Sequence, residues 1–538
     1  MTPEPNAQSS IASRRRLWAL TAVATCGAGA AIGLLALKSP LLAAGAVVFG
    51  LFALASLRWP DLATFSVIFI LFSNVAVVAT RFHGVPKAVA AAFPLLLSVP
   101  LLRDLVQRRQ RLIVAPAVPF LLCLVGVQLL GLIFARDLEV TRSAVIELLS
   151  EGLLIVLLIT NAVRTPRTLR LAVWALLAAG FVSSIVPCYQ QVTGSADRIY
   201  GGFGQTSETG LGEEELAQMN KVRHVRLAGT VGEQNRFSQN MLMLLPLGFF
   251  MLLGERSRRL RLLASVLTGV IGIGFLLAFS RGGAVAFFLV VAAMVAMRLV
   301  PVRHLVVVGL LALLALAALP RYWERLQSLG DVPSLLSEGG VRSNEIDSST
   351  KRRVTEMLAA GMVFIDHPVI GVGPGMFKYY SQEYGNKLGI RKLTERRKAH
   401  SLYLELAAEG GTLGLLSFAG MVLVTLYGLI ATRRRLSARR PGAEPGGETR
   451  PQEQERLELA GLVTGLLLAL LAYLASALFL HLAYIRFFYL MLALAGAAGG
   501  IARAYLSSSG SATDPRRCLL PDPLDPLSRQ GAAHGRPA

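Results

Sequence analysis

The sequence predicts an all-α integral membrane protein with about fourteen transmembrane helices, twelve at the least, and two large loops outside the bilayer. Three observations carry this. Of 538 residues, 54% are hydrophobic and only 16% charged, too little charge for a soluble chain of this length. Apolar runs of roughly 18 residues or more recur along the whole chain, the length a helix needs to cross the hydrocarbon core. Lys and Arg fall in short clusters between those runs, as orientation signals do. Helices rather than a barrel follow because a helix satisfies its own backbone in lipid, and the alternation of a membrane barrel is absent.

Taken in order, the runs place spans at about 17–37, 41–57, 62–80, 88–102, 112–134, 144–163 and 169–190. A second set follows at about 237–253, 262–279, 283–299, 304–319, 402–431, 459–480 and 486–505. The segment 88–102 is short and carries Pro94 and Pro100, residues that interrupt a helix. The run 402–431 suits a tilted helix that begins outside the membrane. The chain thus divides into an N-terminal bundle over 1–190, a loop over 191–236, central spans over 237–319, a second loop over 320–401, C-terminal spans over 402–505 with a connection at 432–458, and a tail over 506–538. The segment 441–456 and the tail read as solvated and without order.

The basic clusters orient these spans. With the N-terminus in the cytoplasm, Arg14–Arg16, Arg58, Arg103/Arg108/Arg109/Arg111, Arg164/Arg167/Arg170, Arg256/Arg258/Arg259/Arg261, Arg298/Arg303 and Arg433–Arg435/Arg439/Arg440 all fall inside. The short outer connections hold only Lys38, Arg81, Lys87, Arg136, Arg142, Arg281 and Arg486. Both termini are then cytoplasmic, and both long loops face the periplasm of a bacterial inner membrane. The formal charge of +21 is therefore spread as topology signals, which argues against nucleic acid as a partner. Cys26, Cys123 and Cys188 lie in expected spans and Cys518 in the tail, with no pairing or metal spacing. The apolar stretch after Arg16 is long enough to stay as a signal anchor.

In the second loop, Ser348-Ser349-Thr350 precedes Val354, Met357, Leu358, Met362 and Ile365. That spacing predicts a capped amphipathic helix ending at His367-Pro368. It suits either the membrane surface over the mouth of a cavity or the core of the loop itself. No P-loop, no HExxH and no clustered Cys/His or acidic metal set is present, so no cofactor or metal is expected. The outer loops are basic instead, and guanidinium groups pair well with diphosphate oxygens.

Four elements stand out. Arg226-Leu-Ala-Gly229-Thr230 through Asn235-Arg236 brings basic and amide groups to a membrane entrance, with Arg223 just before it. Ser280-Arg281-Gly282 sits between two apolar runs, where an arginine is costly unless it meets a polar cavity or snorkels. Gly371-Val-Gly-Pro-Gly375 is a compact turn. His400-Ser401 opens the next span, with Glu405 and Glu409 one helical turn apart and Gly411 and Gly414 beyond. A histidine at the lip of the membrane suits a general base or a hydrogen-bond donor at neutral pH, though a lone histidine is more often structural. Glu147 and Glu151 repeat the paired carboxylates in the sixth span.

His400-Ser401, nine residues, Gly411, two residues and Gly414 resembles the motif of the O-antigen ligase and O-antigen polymerase superfamily. Pro368-Val-Ile-Gly371-Val-Gly373-Pro-Gly375, Ser280-Arg281-Gly282 and Gly229-Thr230…Asn235 resemble its other recurrent patches, over roughly 225–480. The resemblance implies a GT-C-like, metal-independent, inverting glycosyltransferase. Its donor would be an undecaprenyl-diphosphate-linked glycan, its acceptor lipid A–core or another repeat unit, and other polysaccharide-assembly proteins would be its partners. By that analogy Arg226 or Arg223, with Arg281, would hold the diphosphate. His400 would orient or deprotonate the attacking hydroxyl. Asn235, Arg236, Ser401, Glu405, Gly411 and Gly414 would line the substrate site. Fourteen spans exceed the twelve usual for the ligases, and the sizeable first loop is more like the polymerases. A second class fits the intramembrane carboxylates: a secondary transporter or flippase of a lipid-linked sugar or anion. Such proteins often carry inverted repeats, and none is evident here.

Overall fold

The structure, a computed structural model, describes residues 50–52, 54–56, 58–208, 225–299, 348–388, 393, 396–438, 450–481 and 486–511. The expected spans at 17–37 and 304–319, nearly all of the one at 41–57, Arg223 and the tail past 511 lie outside the described residues.

Pro60 at the first position opens α1 (Pro60–Ser73), where its fixed φ suits a helix start. Asn74 in the left-handed conformation closes it at φ 61°. The chain restarts as α2 (Val75–Phe82), bent by 60° from α1, so the run at 62–80 is a broken helix. The Asn74 side-chain amide holds that break by donating to the Thr230 carbonyl at 2.6 Å. The prolines of 88–102 act as expected: the stretch is a string of short helical pieces, Lys87–Ala92, Phe93–Leu97 and Ser98–Leu102. After α3 (Val118–Gly131) comes α4 (Leu138–Ala162), capped by the Asp137 carboxylate on the Val140 amide at 3.1 Å. A reciprocal Thr165/Thr168 capping box starts α5 (Pro166–Thr193), and left-handed Gly194 ends it.

The first loop is not all-α. β1 (Gln205–Glu208) pairs antiparallel with β2 (Val225–Gly229), with a register shift between Gln205 and Thr206. This short hairpin stands beside a bundle that is otherwise all-α, as the sequence predicts. The hairpin delivers the chain to α6 (Gln234–Gly254), where the Glu233 carboxylate accepts from the Asn235 and Arg236 amides at 3.0 and 2.7 Å. α7 (Arg258–Leu277) and α8 (Arg281–Ala296) follow, the latter capped by Ser280 Oγ on the Gly283 amide.

α9 (Ser348–Asp366) ends at His367-Pro368 as its sequence predicts. Its buried face is Thr355, Glu356, Ala359, Ala360 and Val363. The apolar stripe read from the sequence is split: Leu358 is 47% and Ile365 73% exposed, while Val354 and Met357 are half-buried and Met362 packs against the loop's own core. Small residues let α9 sit close on its neighbours, and Leu358 and Ile365 are left for a surface such as a bilayer interface. α10 (Phe377–Lys387) packs beside it.

The run at 402–431 belongs to α11 (Leu402–Ser437), which is two helices joined at Gly411, φ 61° and ψ −161°. Only glycine tolerates that backbone. α12 (Arg450–Ser476) and α13 (Arg486–Ser511) complete the bundle. Arg450–Glu455 and Leu506–Ser511 are helical extensions of these two elements, although their polar sequence reads as solvated coil. α6 runs along α12, α5 lies between α1 and α7, α11 packs on α3 and α12, and α13 on α4. Among the described residues seven helices are long and apolar enough to cross a membrane, or eight if α1 and α2 form one span; α3 and α8 are shorter apolar helices.

Candidate functional site

The break in α11 organises one end of the bundle. The segment Pro368–Gly375 crosses α11 there and replaces the hydrogen bonds the helix loses. The Val372 and Gly373 amides donate to the Ala408 and Glu409 carbonyls, both at 3.0 Å. The Thr412 and Leu413 amides donate to the Pro368 and Val369 carbonyls at 2.7 and 3.2 Å. Gly371, Gly373 and Gly375 all have positive φ, and a Cβ on Gly371 or Gly411 would lie 2.4 Å from the crossing backbone. The buried Glu409 carboxylate completes the knot, accepting from the Gly375 amide at 2.9 Å and the Phe377 amide at 3.1 Å. Glu409 therefore caps α10 and is occupied by backbone.

The knot holds α9 against the short helical stub that follows His400. His400 has φ 51° and sits just before Ser401, the residue preceding α11. Its Nε2 lies 3.3 Å from Oε2 of Glu356, which is completely buried on α9. Arg397 Nε is 3.9 Å from the other Glu356 oxygen. Burial, then the guanidiniums of Arg353, Arg352 and Arg397, push the His400 pKa down to about 3. Burial thus favours the neutral ring at ordinary pH. At 3.3 Å its Nε2 meets the Glu356 carboxylate as a close electrostatic contact rather than as an aligned hydrogen bond. His481 stacks edge-on at 5.8 Å, its own pKa held well below the usual value by burial and by Lys398 and Arg236.

Arg353 also reaches a narrow cleft lined by Asn235, Ser280, Gly282, Gly283 and Ser476. Ser280 Oγ donates to Asn235 Oδ1 at 2.9 Å, while Asn235 Nδ2 donates to Glu233 at 2.9 Å. Arg281 is the first residue of α8, between Ser280 and Gly282 of that cleft. The His400, Asn235 and Ser280-Arg281 patches, far apart in sequence, are thus brought to one end of the bundle, linked through Arg353.

The other expected residues fall elsewhere. Arg236 is buried in the wall, donating to Gln239 at 2.9 Å and to the His481 carbonyl at 2.5 Å. Arg226 lies on β2 opposite Ser207, buried, its Nε without a hydrogen-bond partner among the described residues. Ser401 and Glu405 are buried at the start of α11. Gly411 serves the backbone crossing, and Gly414 packs α11 on α3, its Cβ position 3.8 Å from Leu406 and Val127. Sequence reasoning missed Glu356, Arg352, Arg353, Arg397 and His481. The available signal was a carboxylate on the small-residue face of a helix that is otherwise basic. Among the described residues no group of three or more His, Cys, Asp or Glu side chains is placed to hold a metal ion.

A second buried polar group lies across the bundle. Arg486, at the start of α13, donates to Glu151 at 3.2 Å and to the Asn74 side-chain oxygen at the α1–α2 break. Of the paired carboxylates in the sixth span, Glu151 is thus part of an ion pair that ties α4 and α13 to the broken helix.

These features define a multi-pass, all-helical membrane bundle whose polar site sits at one end, under a helix–turn–helix cap knotted into a broken span. Residues 263–419 match the family model described as O-antigen ligase, a stretch that contains α8, α9, α10 and the knot. That match is in line with the resemblance of the chain's motifs to the O-antigen ligase and polymerase superfamily. No curated protein matches the chain.

Proposed function

We propose that the protein is a metal-independent, inverting glycosyltransferase of GT-C architecture that uses an undecaprenyl-diphosphate-linked glycan on the periplasmic face of the inner membrane. Its acceptor is lipid A–core, a further repeat unit or a related glycan, in surface-polysaccharide assembly. The full set of about fourteen spans, with both termini cytoplasmic, belongs to this reading and rests on the basic-residue asymmetry. The observation that carries the chemistry is the approach of the half-buried His400 to the buried Glu356 at 3.3 Å, with Arg397 beside them.

Glu356 holds the imidazole tautomer so that Nδ1 takes the proton of the acceptor hydroxyl. The hydroxyl oxygen bonds to the anomeric carbon as the bond from that carbon to the diphosphate oxygen breaks. The electron pair leaves with the diphosphate, whose growing charge meets Arg281 and Arg353 beside the Asn235–Ser280 cleft. One displacement inverts the anomeric centre. The phosphate bond of the donor drives the transfer, so no nucleotide is needed.

The test is transfer in proteoliposomes supplied with lipid-linked donor and acceptor, with a chelator present. The intact protein forms product, and His400→Ala loses the roughly 10²–10⁴-fold contribution of a positioned base while still inserting. Near-normal product from His400→Ala removes His400 from the chemistry. Translocation of donor without product would establish the transporter instead.

A further inference from the structure

An open groove enclosing about 150 Å³ lies at the opposite end of α11 from His400, between the C-terminal halves of α11 and α13 and the segment leading into α3. Along its wall run Ala115, Gly428 and Gly499, with Arg435 and Arg503 also lining it. A Cβ added at Gly428 or Gly499 would meet nothing within 4 Å, so these two positions border open space rather than a packed neighbour. No acidic residue lines the groove. Arg503 Nε makes a local bond to the Gly499 carbonyl at 3.3 Å, and both arginines are exposed.

At about 1.5 Å per helical residue, Thr432 lies roughly 30 Å along the continuous part of α11 beyond the Gly411 break. That matches the hydrocarbon thickness of about 30 Å, so the Arg435 end of the groove lies at the other leaflet. It is apolar along its length and cationic at its end, the complement of a lipid with acyl chains and an anionic headgroup. We propose that this groove binds an anionic glycerophospholipid of the leaflet opposite the His400 site. The occupant wedges α11 against α13. The inference is independent of the glycan-transfer reading.

The probe is a photoactivatable phosphatidylglycerol in vesicles holding the full-length protein, compared with the phosphatidylcholine analogue, with labelled peptides read by mass spectrometry. Phosphatidylglycerol should label peptides around Gly428–Arg435 well above phosphatidylcholine. At about a fivefold contribution per juxtamembrane arginine, Arg435→Gln with Arg503→Gln should cut that labelling about thirtyfold. Gly428→Leu, which fills the groove, should abolish it. Gly269→Leu, at another glycine with open space around it, should not. Equal labelling by both lipids, labelling indifferent to the arginine pair, displacement by equimolar polyprenyl diphosphate, or a cross-link seating residues 17–37 in the groove would each overturn the assignment. The arginine variants alter only exposed side chains, so they decide the matter even if Gly428→Leu fails to fold.

Discussion

Glu356→Gln is the most informative single change. The amide matches the carboxylate in shape and removes only its charge and its purely accepting character. At 3.3 Å from Nε2 the new side chain can present its NH₂ to His400. Nε2 then becomes the acceptor and the ring hydrogen moves to Nδ1, the nitrogen that must be bare to take a proton. Reversing a tautomer in this way costs a triad enzyme about 10⁴-fold in kcat, and 10²–10⁴-fold is the expected loss here. The structural cost is smaller. Removing one partner of a buried ion pair costs about 3–5 kcal/mol, but Arg397 keeps 35% exposure and sits at 3.9 Å. It can return to water, which leaves a cost of at most about 1 kcal/mol. The variant should therefore insert, purify as a single species and melt a few degrees early, yet transfer almost nothing from lipid-linked donor in proteoliposomes. Binding of donor, followed by protection from cross-linking, should be nearly unchanged. A Glu356→Gln protein that transfers within about twofold of the parent would refute the tautomer argument and leave the pair a purely structural contact.

Three further outcomes follow from the same geometry. The His400 pKa is depressed from its ordinary value of 6.5 to about 3, so the fold favours the neutral ring; that contribution is complete above about pH 6.5 and is lost as the pH falls toward 3. The pH profile of kcat should show no His400 inflection near 6.5, and Arg353→Gln should bring the acid limb up toward neutrality; an unmoved limb would dismiss the guanidinium effect. Gly411→Ala forces a side chain into φ 61° and to 2.4 Å from the Val369 carbonyl group, a strain of at least about 1–3 kcal/mol before the clash is counted; detergent-purified protein should melt well below the parent or fail to accumulate, whereas Gly428→Ala should be nearly silent. Arg281→Lys keeps charge but loses the two-pronged contact with phosphate, so it should lose most transfer activity, measured with chelator present, while Arg258→Lys at the start of α7 should not; equal tolerance would dismiss the phosphate role.

The apolar helices were legible because hydropathy and length are read directly from the chain. So was the end of α9 at His367-Pro368, where the chemistry that stops a helix is local. Gly411 was visible as part of a motif, but its use was not. A helix break repaired by a segment from elsewhere leaves no trace in local hydropathy, so α11 read as one long tilted span. Arg236 carried the residue type of a phosphate ligand, and only packing revealed that it faces Gln239 and the His481 carbonyl. Glu356 was hidden for the converse reason: its partner His400 arrives from the far end of the same loop, and no spacing rule joins them. Charge composition located the site's general neighbourhood, and the individual pairs depended on tertiary packing.

The two patches read as separate motifs are one mechanical unit. Nine residues separate Ser401 from Gly411, about two and a half helical turns, or roughly 13 Å. At one end of that stub stands His400; at the other, Pro368–Gly375 crosses and is locked by four backbone bonds and the Glu409 carboxylate. The same crossing segment follows directly on α9, which carries Glu356. The stub therefore acts as a ruler between the knot and the imidazole, and α9 is the second arm leading back from the knot to the same point. A residue inserted into 402–410 would rotate one end of the stub against the other by about 100° while leaving Glu356 in place, and would part the pair without touching either side chain. The spacing of the motif is in this sense a geometric requirement of the His400–Glu356 contact, and the glycines in it serve the backbone rather than the ligand.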